Sequence, residues 1–186
     1  MTFRIAGFTG SLSSPSKTRA LVDFTVRKAA ARFGATASTY DLTDLQPGLG
    51  QAASYAELAP LARGILDTIL SADALVIGTP VYKGSYTGLF KHAFDLIDPA
   101  ALVGKPILLT ATGGGGKHAL VIEHQLRPLF AFFEAATLPT GVYASAEDFQ
   151  DGFPASPALT GRLDRAVEQF APYLVERGDR ARIRAA

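Results

Sequence analysis

Short apolar runs alternate along the chain with longer segments of helical periodicity, and this alternation limits the possible folds more than any other feature. The run Ala74–Thr79, ALVIGT, is apolar almost throughout, as expected of a strand buried on both faces of a parallel sheet. We predict five strands: Thr2–Thr9, Ala35–Asp41, Ala74–Thr79, Lys105–Thr112 and Thr137–Tyr143. We predict five helices: Thr18–Phe33, Tyr55–Ser71, Thr87–Ile97, His118–Ala135 and Ala158–Arg177.

Strands that alternate with helices in this way form a parallel sheet with helices on both faces. Because crossovers between parallel strands are right-handed, few strand orders remain, and we favour the flavodoxin-like, doubly wound α/β order 2-1-3-4-5. In such folds ligands bind outside the carboxyl ends of the strands. The loops after the first, third and fourth strands should therefore converge. We expect one domain over residues 1–177 and a flexible tail over residues 178–186.

The composition excludes several classes of function. The 186 residues include 18 Lys and Arg against 17 Asp and Glu, a net charge of +1 that does not favour binding to nucleic acid. Cysteine is absent, which excludes disulfides and thiolate chemistry, and the three histidines lack the spacing of a helical metal site. Neither a signal peptide nor an apolar run of roughly 18–20 residues is found. We expect a cytoplasmic protein without a metal.

The segment Thr9–Thr18, TGSLSSPSKT, joins the first predicted strand to the first predicted helix. A helix N-terminus has unpaired N–H groups and a partial positive charge, and hydroxyls and a lysine add further donors, so the segment suits an anion. An ordinary serine-rich loop with a helix cap is the alternative. The spacing fits neither GxxxxGK[ST] nor GxGxxG, because no glycine follows Gly10 before Gly34. A monophosphate ester remains as the candidate anion.

The second loop, Thr79–Gly88, has the sequence TPVYKGSYTG. Pro80 ends the strand because it cannot donate to the ladder. Val81 and Tyr82 offer an apolar and an aromatic flank, and Gly84 permits a close approach to the backbone. These features suit a flat heterocycle, although a surface turn with an exposed tyrosine is the alternative.

The third loop, Thr110–His118, has the sequence TATGGGGKH. Four consecutive glycines are entropically costly, so they indicate either a ligand close to the main chain or a moving loop. A plain flexible linker is the alternative, but linkers are uncommon inside a unit of strand, loop and helix. A ligand spanning all three loops would have a phosphate at one end and a flat ring at the other. FMN has both and suits this architecture, and it would carry the reaction itself.

Four segments of the chain resemble the NAD(P)H-dependent FMN reductases, above all the reductase components of two-component alkanesulfonate and methanesulfonate monooxygenases. They are GSLSSPSKT, GTPVYKGSYTGLFKHAFDLI, TATGGGGKHAL and EHQLRPLF. The resemblance covers about residues 3–175. It implies a flavodoxin-like fold, FMN as cofactor or substrate, and a homodimer or homotetramer. It also implies delivery of reduced FMN to a separate flavin-dependent monooxygenase.

The resemblance also implies the residues that bind FMN. The phosphate would lie against Ser11, Ser13, Ser16, Lys17 and Thr18. The isoalloxazine ring would be flanked by Pro80, Val81, Tyr82, Lys83, Gly84 and Ser85. Its far edge and the nicotinamide pocket would be lined by Thr112, Gly113, Gly114 and Gly115. Ser13 stands where many relatives carry an arginine, a difference that bears on the strength of phosphate binding.

Pro128 lies inside the predicted helix His118–Ala135, and it lacks the N–H that the carbonyl of His124 would need. A kink or π-bulge near residues 122–127 is therefore expected, and π-bulges often mark functional sites. In the reductases that the chain resembles, this helix has a π-helical insertion at the subunit interface, often marked by a tyrosine that matches His124. The resemblance implies that His124 governs whether FMN is retained or released. A proline-kinked packing helix is the alternative.

The resulting hypothesis is an oxidoreductase that passes hydride from NADH or NADPH to N5 of FMN and supplies a monooxygenase in sulfonate or sulfur assimilation. We favour NADH, because the resemblance to the methanesulfonate-type reductases is strongest. No residue is assigned as a general acid, general base or nucleophile. One alternative is an enzyme that holds FMN tightly and reduces quinones, azo dyes or metal ions. Another is a non-enzymatic flavodoxin, although the near-neutral charge counts against it.

Overall fold

A computed structural model describes residues 2–174. The main strands are β1 (Arg4–Thr9), β2 (Thr36–Asp41), β3 (Ala74–Pro80), β4 (Pro106–Thr112), β5 (Ala136–Thr137) and β6 (Val142–Ala144). The α-helices are α1 (Lys17–Phe33), α2 (Pro60–Leu70), α3 (Gly88–Asp95), α4 (Arg127–Phe132) and α5 (Pro157–Glu168). A small antiparallel hairpin, β7 (Phe149–Gln150) with β8 (Phe153–Pro154), precedes α5.

The sheet has the order β2-β1-β3-β4-β5, and all of its pairings are parallel. The predicted flavodoxin-like order is therefore confirmed. The prediction of one continuous strand over Thr137–Tyr143 is wrong, because β5 and β6 each pair with β4 across a gap that contains Pro139. Proline has no N–H for the ladder. The guanidinium of Arg127 instead donates hydrogen bonds to the carbonyls of Leu138 and Pro139 at 3.1 and 3.3 Å.

Two helices differ from their predicted bounds at proline residues. The predicted helix Tyr55–Ser71 begins only at Pro60, since proline suits the first helical turn and does not extend a helix backwards. In place of the predicted helix His118–Ala135 the chain forms a π-helical segment, Ile122–Leu126, followed by α4, and a 3₁₀ turn, Gly116–His118, precedes both. The expected π-bulge before Pro128 is thus confirmed. The last predicted helix, Ala158–Arg177, ends at Glu168, while residues 175–177 and the predicted tail 178–186 lie outside the described residues.

Helix α1 lies close against the sheet because two glycines face it. A Cβ atom on Gly7 of β1 would lie 2.5 Å from Val22 Cγ1, and one on Gly78 of β3 would lie 2.5 Å from Val22 Cγ2. Larger residues at these positions would force the helix away from the strands. The glycines therefore fix α1 against β1 and β3, and they hold its N-terminus at the carboxyl edge of the sheet.

The opposite face of the sheet is held by buried aromatic rings. Phe8 of β1 stacks against Phe90 of α3 with centroids 6.1 Å apart. Phe94 packs edge-on against Phe90 at 4.9 Å and against Phe130 of α4 at 5.0 Å. These rings connect α3 and α4 to the sheet, so the segments preceding both helices lie over the same edge as the start of α1.

Candidate functional site

Three loops meet at the carboxyl edge of β1, β3 and β4, as the sequence predicts. The amide of Gly10 donates to Gly78 O at 2.8 Å, and the hydroxyl of Thr87 donates to Gly10 O at 2.9 Å. The amide of Val81 donates to Thr112 O at 2.8 Å. These bonds join the loop after β1 to the loop after β3, and the loop after β3 to the end of β4.

The first loop is organised around Ser11, whose residue surface is only 2% exposed. Its hydroxyl oxygen accepts from Ser16 Oγ at 2.8 Å and from the amide of Ser13 at 3.3 Å, and it lies 3.1 Å from Ser13 Oγ. Ser16 also caps α1 by accepting from the amide of Arg19 at 3.1 Å. Three of the predicted phosphate ligands therefore form one hydroxyl cluster at the start of a 17-residue helix.

Lys17 and Thr18 are placed differently from the serines. Thr18 is buried, and its hydroxyl lies 2.6 Å from that of Thr112 at the end of β4. Its side chain thus joins α1 to the third loop, which leaves its backbone amide as the group that belongs to the helix N-terminus. The exposed ammonium of Lys17 lies 5.7 Å from the ring centroid of Phe149, a distance suited to a cation–π interaction.

The second loop contains a tight turn over residues 82–85. Tyr82 and Ser85 exchange two backbone hydrogen bonds, at 3.0 and 3.2 Å. The residues between them, Lys83 and Gly84, have φ angles of 52° and 86°, as a type I′ turn requires. Tyr82 is 58% exposed, and Val81 and Pro80 are half-buried beside it. The turn therefore presents an exposed tyrosine at the surface, and its role in flanking a ring stays a prediction.

The third loop is open on one side. Cβ atoms built on Gly114, Gly115 and Gly116 would meet no heavy atom within 4 Å. Gly113 differs, because a Cβ there would collide with the hydroxyl oxygen of Tyr143. The loop is therefore packed against the protein at its first glycine and accessible along the others.

Sequence reasoning missed two residues that hold these loops in place. Gln125, in the π-helical segment, accepts a hydrogen bond from Ser85 Oγ at 3.1 Å. Tyr143, in β6, donates one to Gly115 O at 2.6 Å. The proline that predicts the π-bulge pointed to the neighbourhood of Gln125, but no sequence pattern marks Tyr143 as a partner of the glycines.

His124 and Pro128 lie on either side of Gln125, the residue that contacts the second loop. His124 is exposed on the π-helical segment, and its amide donates to Leu120 O at 3.0 Å. Pro128 is exposed at the start of α4. The segment therefore presents Gln125 to the second loop and His124 to the surface.

Arg19 connects the first turn of α1 to the end of β2. Its guanidinium donates to Asp41 at 2.5 Å and to Asp44 at 3.0 Å. Burial alone would raise the pKa of Asp41, but hydrogen bonds from Thr43 and Arg19 outweigh burial and lower the pKa below its ordinary value. Two carboxylates thus neutralise Arg19, which leaves Lys17 as the accessible cation beside the hydroxyl cluster.

A cleft of about 550 Å³ lies beside the first loop. It is lined by residues 13–17 of that loop, by residues of α1 and the end of β2, and by residues 151–153 of the β7–β8 turn. The predicted ring-flanking residues do not line it. The cleft therefore adjoins the predicted phosphate end of the site and is separate from the ring end.

Residues 2–174 contain neither a membrane-spanning helix nor a cluster of metal ligands. No helix in this range is long and apolar enough to cross a membrane. No group of three or more His, Asp or Glu side chains in the same range is arranged to hold a metal ion.

Proteins similar to this chain include FMN reductases. A protein named FMN reductase (NADPH) from Pseudomonas aeruginosa is 41% identical over 181 residues, which is 97% of each chain. The NADH-dependent FMN reductase SfnF from Pseudomonas fluorescens is 43% identical over 169 residues, covering 91% of this chain and 90% of that protein.

Two solved structures of oxidoreductases are also similar to this chain. An oxidoreductase from Corynebacterium diphtheriae is 36% identical, with a TM-score of 0.82 over 95% of this chain and 99% of that one. The apo form of the NADH:FMN oxidoreductase EMOB is 28% identical, with a TM-score of 0.82 over 94% of this chain and 91% of that one. The model of the family described as NADPH-dependent FMN reductase matches residues 3–150, and the chain belongs to that family.

Proposed function

We propose that this protein is an NAD(P)H-dependent FMN reductase that supplies reduced FMN to a separate flavin-dependent monooxygenase. One observation carries the proposal. A hydroxyl cluster at the N-terminus of α1 and an open glycine loop lie at the same edge of the sheet. Family membership and the names of the relatives support the same activity.

The residues present fit FMN. Ser11, Ser13 and Ser16 supply hydroxyls, and the first-turn amides of α1 supply N–H donors and a partial positive charge, a combination that suits a phosphate. Lys17 adds a full charge. In our assignment Thr18 contributes its amide, because its hydroxyl is paired with Thr112.

The ring end of the site also fits a flavin. We assign the flanks of the ring to the 80–85 segment and its far edge to the third loop, namely Pro80, Val81, Tyr82, Lys83, Gly84, Ser85, Thr112, Gly113, Gly114 and Gly115. Gly114 and Gly115 face open space, which leaves room for a flat group against the main chain.

When bound, FMN supplies the redox chemistry by accepting hydride from a nicotinamide ring. The protein's own part is to hold the two rings at reacting distance and to exclude water, and correct orientation of this kind is worth several kcal/mol. Backbone amides at the start of the 116–118 turn would stabilise negative charge near the third loop. We assign no general acid, general base or nucleophile.

We propose NADH as the preferred donor and a homodimer or homotetramer as the functional assembly. The relatives differ in the donor, since the Pseudomonas aeruginosa protein is named for NADPH and the SfnF and SfnE proteins for NADH. The SfnF and SfnE proteins named for NADH are 42–43% identical to this chain, which supports NADH as the donor.

We also propose that His124 governs whether FMN is retained or released, with Pro128 maintaining the π-helical segment on which His124 lies. Replacement His124→Ala should change the dissociation rate of FMN, measured by stopped-flow fluorescence, or the assembly state, measured by light scattering. Pro128→Ala, which restores an N–H donor, should act in the same direction. Unchanged rates and mass in both variants would contradict this role.

Steady-state oxidation of NADH and NADPH by flavin-stripped protein tests the proposed function. We expect turnover that requires added FMN, with NADH used more efficiently. Turnover that is independent of added FMN, in protein that resists stripping, would indicate instead a quinone, azo-dye or metal-ion reductase with tightly bound flavin. FMN binding without oxidation of either nucleotide would indicate an electron carrier.

A further inference from the structure

The glycine loop, residues 113–116, is constrained on one side and open on the other. A side chain at Gly114, Gly115 or Gly116 would begin in open space, whereas one at Gly113 would begin at the hydroxyl of Tyr143. The first glycine is therefore required by the packing of the protein itself. The other three leave space outside the loop, where a ligand can approach.

Tyr143 holds this loop from β6. Its hydroxyl donates to Gly115 O at 2.6 Å, and the carbonyl of the next residue, Ala144, accepts from the amide of Gly113 at 3.1 Å. Both bonds come from a strand that pairs with β4, with Ala111 opposite Tyr143 in the register. The loop is thus tied to the sheet at its beginning and at its middle.

The hydroxyl of Tyr143 remains a donor near neutral pH. Burial raises its pKa, and the nearby carboxylate of Asp148 acts in the same direction. The carboxylate is itself fixed by hydrogen bonds from Ser145 and Ser156. The bond to the loop is therefore present throughout the pH range in which a reductase would work.

We propose that Tyr143 is a positioning residue for FMN, because it holds the glycine loop in the conformation that receives the flavin ring. The inference rests on the proposed function. Without an anchor, a run of glycines samples many conformations, and restricting them when the ligand binds lowers affinity. A loop held in its bound conformation beforehand avoids this loss.

Titration of flavin-stripped protein with FMN, followed by flavin fluorescence, tests the role without relying on turnover. Tyr143→Phe should raise the Kd for FMN by about 2- to 10-fold, the range expected for loss of one hydrogen bond. Tyr55→Phe is the matched control, since Tyr55 also donates a 2.6 Å bond, to Asp67 in α2. It should leave the Kd unchanged, and thermal unfolding of both variants reports any loss of fold.

A second variant keeps the test decisive if the first is unstable. Gly113→Ala should also raise the Kd, because its Cβ would collide with the tyrosine hydroxyl. In the double variant with Tyr143→Phe, Gly113→Ala should raise the Kd little further, because both changes act on the same contact. Without the hydroxyl, the nearest ring carbon lies 3.2 Å from the alanine Cβ.

The outcomes separate the inference from the proposed function. FMN binding by the unaltered protein, with an unchanged Kd in folded Tyr143→Phe, would overturn the positioning role alone. Fully additive effects of the two changes would do the same. Failure of the unaltered protein to bind FMN would overturn the proposed function and this inference with it.

Discussion

Among single residues, Ser11 is the one on which the first loop depends most. It is buried, and its hydroxyl oxygen is the common partner of Ser13 and Ser16. Ser14, in the same loop, is exposed. The serines of this loop are therefore unequal, although the sequence presents them as a uniform polar run.

We predict that Ser11→Ala raises the Kd for FMN by about 3- to 10-fold, because two further hydroxyls lose the group that orients them. Fluorescence titration measures the change, and Ser14→Ala serves as the control with an expected Kd close to that of the unaltered protein. Equal effects of the two substitutions would contradict a central role for Ser11.

Among the elements, the π-helical segment and the divided fifth strand depend on each other. Arg127 follows the π-helical segment and forms an ion pair with Glu123 at 2.6 Å. The same guanidinium donates to Thr137 Oγ1 at 3.0 Å and to the carbonyls of Leu138 and Pro139. It thereby binds the carbonyls of Leu138 and Pro139 in the gap between β5 and β6.

We predict that Arg127→Met lowers the free energy of unfolding by about 1–3 kcal/mol, because the carbonyl of buried Leu138 loses a charged donor. Arg27→Met is the matched control: Arg27 is 74% exposed and has an i, i+4 ion pair with Asp23, which is worth little. Urea unfolding followed by circular dichroism measures both. A loss no larger than that of the control would show that the gap is held by other contacts.

For the molecule as a whole, the connection between α1 and the edge strand β2 passes through Asp41. Its carboxylate accepts hydrogen bonds from Arg19 and from the amide and hydroxyl of Thr43, and these lower its pKa although burial opposes them. A carboxyl with a lowered folded pKa stabilises the native state fully above its ordinary value, near pH 4, and less as pH falls through the lowered value.

We therefore predict that stability declines below about pH 4 and that Asp41→Asn flattens this decline while reducing stability at neutral pH. Urea unfolding at several pH values measures the slope. Asp164→Asn is the control, because Asp164 is exposed and paired with Lys28 on the surface. An acid slope that is the same in Asp41→Asn as in the unaltered protein would contradict the prediction.

The order of the sheet, the three converging loops and the π-bulge could all be inferred from the sequence, since each depends on local patterns. ALVIGT is apolar because a central parallel strand is buried on both faces, and Pro128 disrupts helical bonding wherever its helix packs. The bounds of α2 and the division of the fifth strand were missed. At both places the helical or apolar pattern continues across a proline, Pro60 or Pro139, which removes a backbone donor.

The contacts that hold the site together depend on the three-dimensional arrangement. Thr18 meets Thr112, Ser85 meets Gln125, and Tyr143 meets Gly115 across separations of 94, 40 and 28 residues. Such pairs follow from strand register and from the rotation of a π-helical turn, which local periodicity does not encode. The sequence thus specified which loops form the site, whereas packing between distant strands and helices fixed which side chains hold them there.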